Sequence, residues 1–349
     1  MAVDWSRGYT ASWRVFRVDE RTWADAERLD GIVSADVSRD RSGDAPLLES
    51  GTVRASAPIG ADVPDRYLRI VMTATQGAVS ERVDVATMLF CAASGEVARG
   101  SQLLELTGRS VLWPASAALL SRGSYAPAGC DGASFAAGML REVLAAPVAV
   151  NGSFTLDRHV VFDLGSSVLE AAWLVLRAGN FCIRIDGSGA VTVGPEPSEP
   201  DLVLDRAGAR LLSVSGSFEA DSSEVPNRYV AVDGTETAEA VNDDPGSKTS
   251  TVRRGYRVDV VDSSPVRVNG ETLAAYCARR LEEESAMPDT KTYTREWWPG
   301  VGPYSLVRGS LASVGVEGDL RVVSQSLECG RGITVTERAS REVRLWRRA

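Results

Sequence analysis

A single histidine, His159 between Arg158 and Val160, bounds the chemistry open to this chain of 349 residues. A Ser–His–Asp triad would need that imidazole beside an activated serine, yet no Gly-x-Ser-x-Gly elbow accompanies it. Gly165-Ser166-Ser167 precedes a helical pattern and reads as an N-cap, not as a nucleophile turn. Cys91, Cys130, Cys182, Cys277 and Cys329 lie far apart with no Cys-x-x-Cys pair. Zinc spacing is therefore absent, and buried, reduced thiols are expected. Ser38, Asp40, Ser42, Gly43 and Glu49 fall on a calcium-loop template, but serine stands first, Pro46 interrupts the loop and strands flank it. A surface turn is expected there. Gly187-x-Gly189 sits in a hairpin with no helix N-terminus behind it, which argues against a phosphate loop.

Two readings stay open at this point. The 47 Asp and Glu residues offer many pairs, and a glycosidase needs only two carboxylates. Glu282-Glu283-Glu284 is most economically a solvated helix end. Trp297-Trp298 suits a sugar platform, a core plug or a subunit contact. No catalytic, cofactor-binding or metal-binding residue is assigned.

Composition sets the class. Apolar content of 44% and charged content of 24% are those of a soluble globular protein, long enough for two or three domains. No run reaches the roughly 18 apolar residues of a membrane span. Met1 to Arg7 lacks a signal-peptide core, so synthesis in a cytoplasm and no membrane anchor are expected. A net charge of -9 argues against a general nucleic-acid binder but suits a wall past which DNA slides.

The elements that must position any site come in three groups. Tyr9 to Val18, Ile32 to Ser38, Leu47 to Ala57, Arg66 to Ala74, Ala78 to Leu89 and Glu96 to Leu106 read as short strands, so residues 1–115 are expected to form an antiparallel barrel or sandwich. Gly132 to Ala145 and a helix capped by Ser166 or Ser167, followed by a hairpin turning at Asp186-Gly187-Ser188-Gly189, make 116–197 a small α+β domain. Gly194 to Pro200 is a proline-rich linker. In 198–349, Asn227 to Val232 and Tyr256 to Val261 are expected to pair as a hairpin around a long mobile loop, Asp233 to Arg254. A helix over about 270–286 follows, capped by Asn269 and ended by Pro288, and strands return from Lys291 onward.

This order resembles a known family. Asn-Arg-Tyr-Val-Ala-Val-Asp-Gly at 227–234, a long Asp/Asn/Pro/Gly loop, an Arg-rich strand, an Ala/Arg/Glu helix and a β-rich end are similar to the C-terminal half of tail hub proteins. These are the baseplate hub or late-control proteins of tailed bacteriophages, related to the base of secretion-system spikes. The Gly-Ser-Ser-Val-Leu-Glu-Ala-Ala-Trp helix and the Asp-Gly-Ser-Gly hairpin resemble the insert between the family's two barrels. Gly302-Pro303 to Gly309 keeps a proline and a glycine of the family pattern but lacks its Asp.

The resemblance implies a mainly β fold with two barrels flanking an α+β domain. It also implies a homotrimeric ring in a virion tail, surrounding the DNA channel and joining the sixfold tube or distal tail ring to a threefold tip. Expected partners are the distal tail or tail tube protein, the tape measure protein and a spike, fibre or tip protein on a separate polypeptide. DNA is expected only in transit. A tail-associated cell-wall hydrolase and a receptor-binding tip protein are the alternatives.

Overall fold

Alternation of apolar and polar side chains produces strands over about half of the chain, because every second residue must face a core. The computed structural model describes residues 2–41, 46–56, 65–98, 101–204, 211–218, 223–297, 299–311, 316–330 and 332–344. Seven strands come first: β1 (Thr10–Val18), β2 (Asp25–Leu29), β3 (Ile32–Asp40), β4 (Leu48–Ala55), β5 (Arg66–Gln76), β6 (Val79–Ala98) and β7 (Ser101–Arg109). The middle holds α1 (Trp113–Ala117), β8 (Ser124–Ala126), α2 (Gly132–Val143), β9 (Val148–Val150), β10 (Val160–Phe162), α3 (Val168–Arg177), β11 (Phe181–Ile185) and β12 (Val191–Pro195). Next come β13 (Pro200–Leu204), β14 (Leu211–Phe218), β15 (Arg228–Asp233), β16 (Glu236–Val241), α4 (Thr251–Arg254), β17 (Asp259–Asp262) and α5 (Leu273–Glu284). The chain closes with β18 (Ala286–Glu296), β19 (Leu306–Leu311), β20 (Val316–Cys329) and β21 (Ile333–Arg344).

The architecture is mainly β with an α+β insert, as expected. The two β-rich ends, however, merge into one 13-stranded sheet in the order β14-β18-β21-β20-β3-β4-β7-β6-β5-β1-β2, with β19 and β13 branching from β20. Among the described residues this path stays open at β2 and β14 instead of closing into two barrels. The merger happens where β3 pairs antiparallel with β20, Ala35 opposite Cys329 and Asp40 opposite Ser324. Trp297, Leu327 and Val335 from the far end of the chain consequently pack in one core with Val15, Leu68 and Met88.

The insert follows its local signals. Asp131 caps α2 by accepting from the Ala133 amide, and Ser167 with Glu170 forms a capping box on α3. The helices pack their alanine- and leucine-rich faces together, and Val18 and Tyr67 of the first sheet join that core.

Residues 225–285 depart from expectation. The partner of β15 is β16, joined by a tight turn in which Gly234 takes φ 63°, while β17 pairs parallel to β15 on its other side. The stretch expected as a mobile loop is ordered by its own polar groups. Asn242 Nδ2 donates to Ser247 Oγ at 3.0 Å and Thr249 Oγ1 at 3.2 Å, and all three residues are buried. Polar side chains that satisfy one another can be buried without apolar bulk, which composition alone does not reveal. The cap of α5 is Thr272, not Asn269, and the helix ends at Glu284, so Pro288 lies inside β18.

Candidate functional site

The seam between the chain's two ends carries a line of charge. Val37 and Arg39 share one face of β3, and that face is buried, so the guanidinium must find partners inside. Arg39 Nε donates to Glu49 Oε1 of β4 at 2.8 Å, Nη2 to the Val85 carbonyl at 2.8 Å, and Nη1 to Gln325 Oε1 of β20 at 3.4 Å. Gln325 Nε2 donates to Glu337 Oε1 of β21 at 2.5 Å and to the Val301 carbonyl at 2.8 Å. Glu337 in turn accepts two hydrogen bonds from Arg295 of β18, and neither side chain of that pair is exposed. Two guanidiniums and two carboxylates thus alternate with one amide across five adjacent strands. Burial pushes the Glu49 carboxyl up, and the Arg39 guanidinium opposes the shift.

A second joint clamps the insert onto the first sheet. The turn Asp186-Gly187-Ser188-Gly189 is docked on β5 and β6. Trp23 Nε1 and Arg69 Nη2 both donate to the Ser188 carbonyl, at 2.8 and 3.0 Å, and Thr87 Oγ1 donates to the Gly187 carbonyl at 3.0 Å. A Cβ at Gly187 would collide with the Asp84 carbonyl, so only glycine allows this approach. Tyr67, packed edge-on against Trp23, has its hydroxyl pushed up to about 12 by burial.

The third joint pins the proline-rich linker. Glu196 accepts from Arg41 Nη2 at 2.7 Å and lies 3.5 Å from Arg321 Nε. Arg321 Nη1 donates to the carbonyls of Tyr304 at 2.9 Å and Pro197 at 3.3 Å. Tyr304 is fully buried with φ 74°, its ring 4.2 Å beneath the Arg41 guanidinium. One residue from each third of the chain therefore meets at Glu196.

The residues singled out in the sequence are not brought together. His159 is exposed; its Nδ1 accepts from the Ala128 amide at 3.1 Å and its ring stands edge-on to Tyr125. Ser167 is a cap. Glu283 and Glu284 pair with Arg279 and Arg280 along α5. Trp297 is a core plug at 3% exposure, while Trp298 lies outside the described residues. Glu49 is committed to Arg39, so the calcium template is not assembled, and Ser42 and Gly43 also lie outside the described residues. The five cysteines are free thiols, three of them buried. Among the described residues no cluster of three His, Cys, Asp or Glu could hold a metal. A cleft of about 540 Å³ at the junction, lined by Arg39, Asp84, Arg184, Asp186 and Trp297 among others, includes no histidine or cysteine.

The arrangement as a whole is a set of hydrogen-bonded joints between distant parts of the chain. Sequence reasoning missed its members, although a signal was present: Arg39, Gln325, Arg295 and Glu337 each occupy the apolar phase of an alternating strand, where a polar residue must have a buried partner.

No protein family matches the sequence, and no curated protein matches it either. Solved structures do. The chain is similar to the tail protein of Neisseria meningitidis MC58, with a TM-score of 0.66 and 15% identity over 96% of this chain and 97% of that one. It is similar to the 43 kDa tail protein of prophage MuSo2 from Shewanella oneidensis, with a TM-score of 0.64 and 13% identity over 96% and 99%. A component of the type VI secretion system of E. coli matches with a TM-score of 0.50 and 9% identity over 91% and 76%. The resemblance to tail proteins read from the sequence thus holds for the fold of nearly the whole chain.

Proposed function

We propose that this chain, which has the fold of phage tail proteins from end to end, is a structural hub at the tip of a phage or phage-like tail. Three copies form a ring around the DNA channel and join the sixfold tail tube or distal tail ring to a threefold tip or spike. The observation that carries this reading is the match over 96% of this chain and 97% of a tail protein, because a shared catalytic or binding module would match only in part.

Residues 1–115 and 198–349 act as two comparable β-rich halves, so three chains present six similar units to the tube and three to the tip. The insert, 116–197, stands between them. Among the described residues the sheet ends at β2 and β14, and this supports ring formation, since an unpaired strand edge in a virion invites adventitious pairing unless a neighbour covers it. The excess of 47 acidic over 38 basic residues supports a lumen that repels phosphate and lets DNA slide. Neighbours in this reading are the distal tail or tube protein, the tape measure protein and a separate spike, fibre or tip protein. The role is mechanical and calls for no catalysis.

Native mass spectrometry of the protein mixed with its tube-side neighbour tests the reading. It expects complexes holding three copies of this chain; complexes with one, two or six copies contradict it.

A further inference from the structure

Residues 225–285 are built as a unit of their own. Tyr229, Leu273, Tyr276, Cys277 and Leu281 form a core whose described members all come from within the unit. Asn227 ties its ends together internally, donating to the carbonyls of Thr249 and Tyr256 and accepting from the Val258 amide at 2.9 Å. Ser285, at the exit, donates to the Pro226 carbonyl at the entrance.

Against the α+β insert the same unit presents polar groups. Asn269 Oδ1 accepts from the Asp157 amide at 3.2 Å, and its side-chain nitrogen donates to the Thr155 carbonyl. Asp157 returns the contact, its Oδ2 accepting from the Gly270 amide at 2.6 Å. Arg158 Nη2 donates to the Arg267 carbonyl at 3.0 Å, and Asp233 lies 2.8 Å from Arg267 Nη2 and 3.9 Å from Arg158 Nη1. Thr155, Asp157 and Gly270 are exposed, and Arg158, Asp233, Arg267 and Asn269 are half-buried.

We propose that residues 225–285 are a lobe that swings on its connection to β18, and that the contacts of Asp157 with Asn269 and Gly270, of Thr155 with Asn269, and of Arg158 with Asp233 and the Arg267 carbonyl are the latch holding it to the insert. The physical asymmetry is in the kind of contact. Opening the latch exchanges wet hydrogen bonds and ion pairs for water, which costs little, whereas opening the lobe itself would expose its apolar core. Asn269 is spent here because it sits three residues ahead of the true cap, Thr272, in a loop facing the insert. Charged contacts in water are screened by salt, so salt should release the lobe without unfolding it. This inference does not depend on the proposed tail role.

Hydrogen–deuterium exchange on the full-length protein, at low salt and at about 0.5 M salt, tests it. Expected is exchange at least tenfold faster in 267–271 at the higher salt, with no change in β15 or α5. Asp157→Ala and, separately, Arg158→Gln should each give the same selective increase at low salt. Exchange in 267–271 that is indifferent to salt and to both substitutions would overturn the latch. Acceleration in β15 and α5 in step with 267–271 would overturn the independent lobe.

Discussion

Arg295 of β18 and Glu337 of β21 share two hydrogen bonds, of 2.8 and 2.7 Å, although they are not opposite one another in the ladder. Tyr293 faces Glu337 and Val335 faces Arg295, so the bridge runs diagonally. Glu337 is thereby positioned to accept from Gln325 as well, which continues the line to Arg39 and Glu49. A one-residue slip of β3 on β20 would turn Arg39 and Gln325 to opposite faces. The line therefore sets the register in which the first and last parts of the chain meet.

Breaking one end of this line should be costly. Arg295→Ala leaves a buried, unpaired carboxylate and is expected to lower stability by about 3–5 kcal/mol. Replacing both partners, Arg295→Met with Glu337→Leu, should cost less, because the desolvation cost of both charges disappears together and only the Gln325 amide loses an acceptor. Chemical denaturation of the two variants beside the parent protein measures the difference, and equal destabilisation by both would contradict this account.

The glycine clamp predicts a sharp contrast. Gly187→Ala drives a methyl into the Asp84 carbonyl and should cost about 1–3 kcal/mol. It should also disturb Trp23, which donates to the adjacent Ser188 carbonyl, so tryptophan fluorescence should change in the folded state. Gly123→Ala, with open space around the added methyl, should change neither property.

Burial pushes the Cys182 thiol up to about 11 and the Cys329 thiol up to about 12. An unfolded cysteine ionises near about 8.5, so the folded state holds these protons where the unfolded chain has lost them. Their contribution is fully present below that unfolded value and is lost as pH rises toward the folded values. Stability should therefore fall from about pH 9 to 11 by about 1.4 kcal/mol per pH unit for each thiol. Cys329→Ala should make that slope shallower by about 1.4 kcal/mol per pH unit, as read from denaturation midpoints across the range.

The polar knot at residues 242–251 predicts order where the composition suggests none. Trypsin should spare Lys248 in the parent protein and cut there first in Asn242→Ala, which removes the donor to Ser247 and Thr249. Equal cleavage of both proteins at Lys248 would contradict the knot.

What the sequence made legible was local. β1, the cap at Ser167 and the hairpin turning at 186–189 are written in neighbouring residues, and they stand where their signals place them. β16 was harder: Glu236, Ala238, Glu239 and Ala240 are weak strand formers, so the Asp233-Gly234 turn signal ahead of them passed as part of a loop. The parallel pairing of β17 with β15 and the meeting of Arg39 with Gln325 are set by tertiary packing across intervening elements. For the joints, the readable trace was a charged residue in an apolar phase, which says that a partner exists without saying where along the chain it lies.

A cryo-EM map of the tail tip tests the proposed hub of three chains around a channel most directly. Three copies of this chain are expected in one ring, each contributing both its β-rich halves to a sixfold-like layer, with a lumen lined mainly by Asp and Glu. A single copy, a ring of six copies or a lumen lined mainly by Arg and Lys would contradict it.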